Sequence, residues 1–162
     1  MSRPRVIIQT DDFDLSTEVA SLRAQDGQVG AVVSFVGTVR DWSPMPTDLS
    51  VGRASACLEL EHYPGMTESA IEAMIDEAQR RFDLRGARVI HRVGRLTVGE
   101  QIVLVLTAAS HRGQAFDACE FLMDWLKSQA PFWKNEISAQ GERWVEAKAS
   151  DDEALARWGV LP

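Results

Sequence analysis

Cysteine is scarce in this sequence: Cys57 and Cys119 are the two among 162 residues. Neither has a second Cys or a His at metal-ligand spacing, so no metal centre is expected. A chain of this length needs no disulfide to hold its fold, and both read as buried thiols. Tyrosine occurs once and histidine three times, which leaves acid–base chemistry largely to lysines and carboxylates. No GxGxxG, P-loop or GxSxG string is present, so dinucleotide, nucleotide-phosphate and serine-hydrolase readings have no motif behind them. No apolar run reaches the length of a membrane span. The opening MSRPRVIIQTDDFD has basic residues but no apolar stretch of signal-peptide length, so a cytoplasmic protein is expected. A net charge of -7 argues against a nucleic-acid binder, which needs a positive face.

What is present is ordinary in bulk and uneven in detail. Hydrophobic residues make up 45% and charged residues 25%, as in a globular protein with one domain over residues 1–162. Acids collect at Asp11, Asp12 and Asp14 and at Asp151, Asp152 and Glu153. Bases collect at Arg85, Arg88, Arg92 and Arg95 and between Lys127 and Lys148. An acidic chain with a local basic cluster can still bind a small anion.

Residues 5–9 read as a first strand. The following helix has Asp14 or Ser16 as its cap, Leu15, Val19 and Leu22 on one face, and Gly27 as its stop. VGAVVSFVGTVR is β-branched and apolar enough for a central strand. DWSPMPTDLSVGR is an irregular loop, and ASACLELEHY, residues 54–63, alternates as a strand. Thr67 is placed to cap a helix with Ala70, Ile71, Met74, Ile75, Ala78 and Phe82 on its apolar face. ARVIHRVGRL and QIVLVLTAAS read as two strands joined by TVGE. RGQAFDACEFLMDWLKSQA reads as a helix with Phe116, Cys119, Met123, Leu126 and Ala130 on its apolar face, ended by Pro131. FWKNEISAQ and RWVEA are short strands, and DDEALARW a final helix. Strands and helices intermixed with a hairpin favour an α+β fold with a mixed or antiparallel sheet and packed helices.

Three segments put charge in apolar settings. Arg40 ends an apolar strand, as a solvated residue or as an anion clamp. His111 and Arg112 enter a helix, where free N–H groups and the dipole attract anions; they serve as surface contacts or as phosphate donors. His91-Arg92, by contrast, sits inside a strand and reads as structural. In LKSQAPFWKNE, Lys127 shares a helix face with Met123, and Lys134 follows Phe132 and Trp133. A lysine against apolar surface acts as nucleophile or base, or snorkels to water. Glu136 is a base or an ion-pair partner.

The strings FVGTVR, LELEHYPGMTE, VIHRVGRLTVGE, SHRGQAF and MDWLKSQAPFWKNE followed by RWVEA resemble, in order, the molybdopterin synthase catalytic (large) subunit family. The resemblance runs over residues 29–158. It implies an α+β fold of α/β-hammerhead type and a homodimer within a heterotetramer. The partner it implies is a small ubiquitin-like sulfur-carrier subunit whose Gly-Gly tail bears a thiocarboxylate. The implied substrate is cyclic pyranopterin monophosphate, on which two sulfur transfers build the dithiolene of molybdopterin. By matched position, Lys127 and Lys134 are active-site lysines. Arg40, His111 and Arg112 match the pterin and phosphate pocket, some from the other protomer, while Phe35 and Met123 match its walls. Arg143 falls in the matching RW motif, and Lys148 stands where an arginine is more usual. The loop at residues 41–53 is longer and richer in proline than the family pattern.

The implied chemistry suits the residues. A thiocarboxylate is itself nucleophilic, so no protein cysteine and no resident cofactor are needed. Two anions held close together require clustered cations. Lys127, Lys134 and Glu136 are candidates to move the proton. Two rivals are a persulfide sulfurtransferase using Cys119 and a non-catalytic scaffold that captures a ubiquitin-like tail. The reading requires Lys127 and Lys134 to share a cleft.

Overall fold

The computed structural model describes residues 3–42, 56–138, 141–145 and 149–160, so most of the proline-bearing loop and Lys148 lie outside the described residues. In chain order the elements are β1 (Val6–Gln9), α1 (Leu15–Arg23), β2 (Ala31–Thr38), β3 (Cys57–His62), α2 (Met66–Phe82), β4 (Gly86–Arg92), β5 (Gly94–Thr97), β6 (Gln101–Ala109), α3 (Arg112–Gln129), β7 (Phe132–Ser138), β8 (Gly141–Val145) and α4 (Ala149–Ala156). They build two four-stranded sheets, ordered β1-β4-β6-β2 and β5-β3-β7-β8. The first is mixed, because β1 runs parallel to β4 while β6 is antiparallel to β4 and β2. The second is antiparallel throughout. This is the α+β arrangement expected.

The first sheet is covered on both faces. Val89, Val103 and Val105 face Ile71, Met74, Ile75 and Ala78 of α2 and Phe121 and Leu122 of α3. Ile90, Leu104 and Leu106 point the other way, toward Phe13 and toward Leu22 of α1. Full burial of each such side chain contributes about 1.5–3 kcal/mol, and double coverage explains why β6 is an almost unbroken apolar run. The same logic corrects the expectation for β2. It is an edge strand, and its apolarity reflects cover on both faces, since Val33 packs toward α3 and Val32 and Val36 toward the α1 side.

Four local expectations are also revised. Helix α1 is capped by Asp14, whose side chain accepts from Thr17 N, but it ends at Arg23 with Ala24 as cap, so Gly27 does not stop it. Gly65, at φ 84, caps α2 in place of Thr67, and Glu68 accepts from its N–H at 2.6 Å. The segment read as one strand before TVGE is two. At Gly94 (φ 89) the chain leaves β4 for β5 in the second sheet, and TVGE returns it to β6 in the first. Phe116 is exposed on α3 instead of joining its apolar face.

No helix among the described residues is long and apolar enough to cross a membrane.

Candidate functional site

The bend between α3 and β7 builds the site. Pro131 cannot continue a helix, and Ala130 takes an extended conformation (ψ 131), so the chain reverses into β7 within two residues. Thr67 holds this bend from α2. Its hydroxyl is fully buried, accepts from Tyr63 N and donates to the Pro131 carbonyl, each at 3.1 Å. Lys127 in the last turn of α3 and Lys134 in β7 therefore face each other across the bend. Lys127 stands in the last turn of α3, where the helix dipole and a basic side chain complement one another.

Both lysines line one cavity of about 130 Å³. Met123 and Leu126 of α3 line it beside Lys127, as helical spacing requires. Strand β2 contributes Phe35, Gly37 and Thr38 to the opposite wall. Gly37 is required there, since an added Cβ would lie 2.8 Å from Val103 Cγ1 and 3.3 Å from the Phe35 ring.

The other expected site residues fall into three places. Arg40 is exposed two residues beyond Thr38 and is not among the residues that line the cavity. Glu136 is engaged on the strand ladder, where it accepts from Arg143 Nη2 at 3.0 Å. His111 and Arg112 are exposed at the far end of α3. Fifteen residues of helix separate Arg112 from Lys127, roughly 22 Å at 1.5 Å per residue. Within one chain they do not meet the lysines.

The arginine cluster of residues 85–95 forms no anion site. Arg85 donates to Asp26 at 2.6 Å, Arg88 to Glu18 at 2.9 Å, and Arg92 to the carbonyls of Thr10 and Gln101. Arg95 lies 3.6 Å from Glu59. Cys119 is buried in the core, and its thiol is pushed up to about 11, first by burial and further by Glu120, against a hydrogen bond with Thr107. So little thiolate at neutral pH does not suit a persulfide carrier. Cys57 is buried as well.

Sequence reasoning missed His91. It lines the same cavity, with its ring stacked on Phe132 at 3.8 Å and 18°. Its Nδ1 lies 2.8 Å from the Arg92 carbonyl. A carbonyl only accepts, so Nδ1 carries the proton and the neutral ring keeps its lone pair on Nε2. Burial pushes its pKa down to about 4; the Lys134, Lys127 and His62 charges add to this, and the Arg92 carbonyl opposes it. An unfolded chain takes this proton below an ordinary value of about 6.5, whereas the folded chain refuses it until about 4. The folded state therefore loses stability as pH falls from 6.5 toward 4, by on the order of 3 kcal/mol. Urea midpoints at pH 7 and 4.5 are expected to differ less in His91→Phe than in the wild type.

Residues 8–129 match the MoaE protein family. The chain is 55% identical over 158 residues to the molybdopterin synthase catalytic subunit of Ralstonia nicotianae, covering 98% of this chain and 86% of that one. It is similar to the solved molybdopterin biosynthesis MoaE protein from Burkholderia ambifaria, with a TM-score of 0.80, 54% identity and coverage of 98% and 99% of the two chains. Molybdopterin synthase from Staphylococcus aureus aligns with a TM-score of 0.75 at 27% identity, over 89% of this chain and 98% of that one.

Proposed function

This chain belongs to the molybdopterin synthase catalytic subunit family, and from that membership we propose that its two-lysine cavity receives a thiocarboxylate tail and directs its sulfur onto cyclic pyranopterin monophosphate. The observation that carries the proposal is the convergence of Lys127 and Lys134 on one cavity across the Pro131 bend. Two ammonium groups offset the repulsion between a thiocarboxylate and a phosphate. The thiocarboxylate sulfur bonds to a pterin carbon and displaces the oxygen that carbon bears, which leaves as water after taking a proton from a cavity ammonium, giving an acyl–sulfur link. Water cleaves that link, leaving sulfur on the pterin and a carboxylate on the tail. Repeating the cycle with a second tail supplies the second sulfur.

The cavity is smaller than the roughly 300–1,000 Å³ of pockets that enclose a ligand, so the described residues of one chain suit a narrow tail better than a tail and a phosphopterin together. Its position far from His111 and Arg112 supports a site shared in a homodimer, with those two residues supplied by the second copy. Each large subunit then carries one small ubiquitin-like sulfur carrier, and the assembly works in the cytoplasm without a resident cofactor.

Incubating the chain with a thiocarboxylated ubiquitin-like partner and cyclic pyranopterin monophosphate tests this. The expected result, by mass spectrometry, is conversion of the partner's thiocarboxylate to carboxylate in step with dithiolene formation. Stable binding with the thiocarboxylate left intact would mean a scaffold that only captures the tail.

A further inference from the structure

The polar groups of the cavity are unequal in kind. Lys127 and Lys134 are cations with donors only. Thr38 brings a hydroxyl from the β2 wall, and His91 brings an imidazole from β4. Strand alternation turns His91 toward the cavity while Ile90 faces the α1 side of the sheet. Antiparallel pairing sets His91 opposite Val103 of β6, another lining residue. On its remaining side His91 lies flat against Phe132, and Lys134 follows Phe132 on the same face of β7, about 6.5 Å further along the strand.

This ring is fixed in every degree of freedom that matters for a hydrogen bond. Stacking on Phe132 sets its plane, and the Arg92 carbonyl sets its tautomer. Arg92 is itself immobilised by three hydrogen bonds to the carbonyls of Thr10 and Gln101. What remains is a neutral acceptor, Nε2, in the wall of a cationic cavity. A carboxylate there would orient an ammonium equally well, but it would cancel a charge and repel both anionic reactants. A neutral acceptor orients the ammonium and leaves the cavity positive.

We propose that His91 is a positioning residue of the sulfur-transfer site, its Nε2 accepting from the cavity ammonium groups, Lys134 foremost, and aiming their remaining N–H donors at the reactants. The assignment rests on the sulfur-transfer reading above. Facing His91 are Lys134 from β7, Lys127 from α3 and His62 from β3, each of which disfavours a proton on the ring.

His91→Phe keeps the stack and the volume but removes the acceptor, while His91→Gln restores an acceptor at similar reach. Expected for His91→Phe is a fall in kcat of roughly 30-fold with KM for both reactants within about threefold, and recovery of most of kcat in His91→Gln. Side-chain NMR of labelled lysines gives a readout independent of turnover. The Lys134 titration midpoint is expected to fall by about half a pH unit or more in His91→Phe and to recover in His91→Gln. Wild-type kcat together with an unmoved Lys134 midpoint in His91→Phe would overturn the assignment. If the wild-type chain transfers no sulfur, the reading of function fails, and the titration still decides whether His91 holds Lys134.

Discussion

Lys127→Ala lowers dithiolene formation by about 10²- to 10⁴-fold in a single-turnover assay with excess thiocarboxylated partner, while the melting temperature stays within ~1 °C of the wild type. The two halves of that expectation have separate causes. Lys127 is exposed at the end of α3, so its truncation opens no core cavity and costs only a dipole interaction of about 0.3–1 kcal/mol at most. Function is different, because the cavity holds two lysines against two anions. Removing one leaves like charges facing each other with a single counter-charge in a partly desolvated space. Lys127→Arg then separates the remaining possibilities. Arginine keeps the charge but is neither a nucleophile nor a base at accessible pH. Partial recovery assigns Lys127 to charge neutralisation, and activity as low as alanine's assigns it to proton movement or covalent chemistry. Full wild-type turnover in Lys127→Ala would remove Lys127 from the mechanism.

Reading the sequence reached the lysine pair because local rules act at short range there. Helical spacing puts Met123 and Lys127 on one face, Pro131 ends the helix, and strand alternation carries Phe132 and Lys134 to the same side. All of this lies within a dozen residues, and Met123, Lys127, Phe132 and Lys134 all line the cavity. His91 was hidden by the opposite circumstance. Its alternation with Arg92 was legible, but the lysines and the α3 and β7 residues that it shares the cavity with, from Met123 onward, come more than 30 residues later in the chain. The edge placement of β2 was hidden for a similar reason. Apolar β-branched residues report that a strand is covered, and cover here comes from helices on both faces, not from neighbouring strands on both sides. The split at Gly94 depends on a single positive φ that carries the chain between two sheets. Most instructive are the arginines of residues 85–95, which look in sequence like an anion site. In the fold, each is matched to a specific acceptor chosen by tertiary packing.

Arg88 is the deepest of these, and Glu18→Ala is expected to destabilise the protein by about 3–5 kcal/mol through it. Glu18 lies on the apolar face of α1, three residues after Leu15 and four before Leu22, and is only 4% exposed; Arg88 is 1% exposed. Arg88 Nη1 donates to Glu18 Oε2 at 2.9 Å and to Ser21 Oγ at 3.3 Å, while its Nε finds no acceptor within the described residues. Without Glu18, a guanidinium that cannot lose its proton is left in the core with only a serine hydroxyl. Arg3, which reaches Glu18 Oε1 at 2.6 Å, is 45% exposed and returns to water easily, so Arg3→Ala costs under ~1 kcal/mol. The decisive comparison is the double variant Glu18→Leu, Arg88→Met. Replacing the pair by apolar side chains removes both desolvated charges together, and stability is expected to return to within ~1 kcal/mol of the wild type. Urea midpoints at constant slope measure all three variants. A Glu18→Ala loss no larger than that of Arg3→Ala would show that Arg88 reaches water by another route. Because α1 packs on the face of the first sheet opposite α3, the folded double variant is expected to keep wild-type sulfur transfer. That result would separate the charge that holds the fold from the charges that line the cavity.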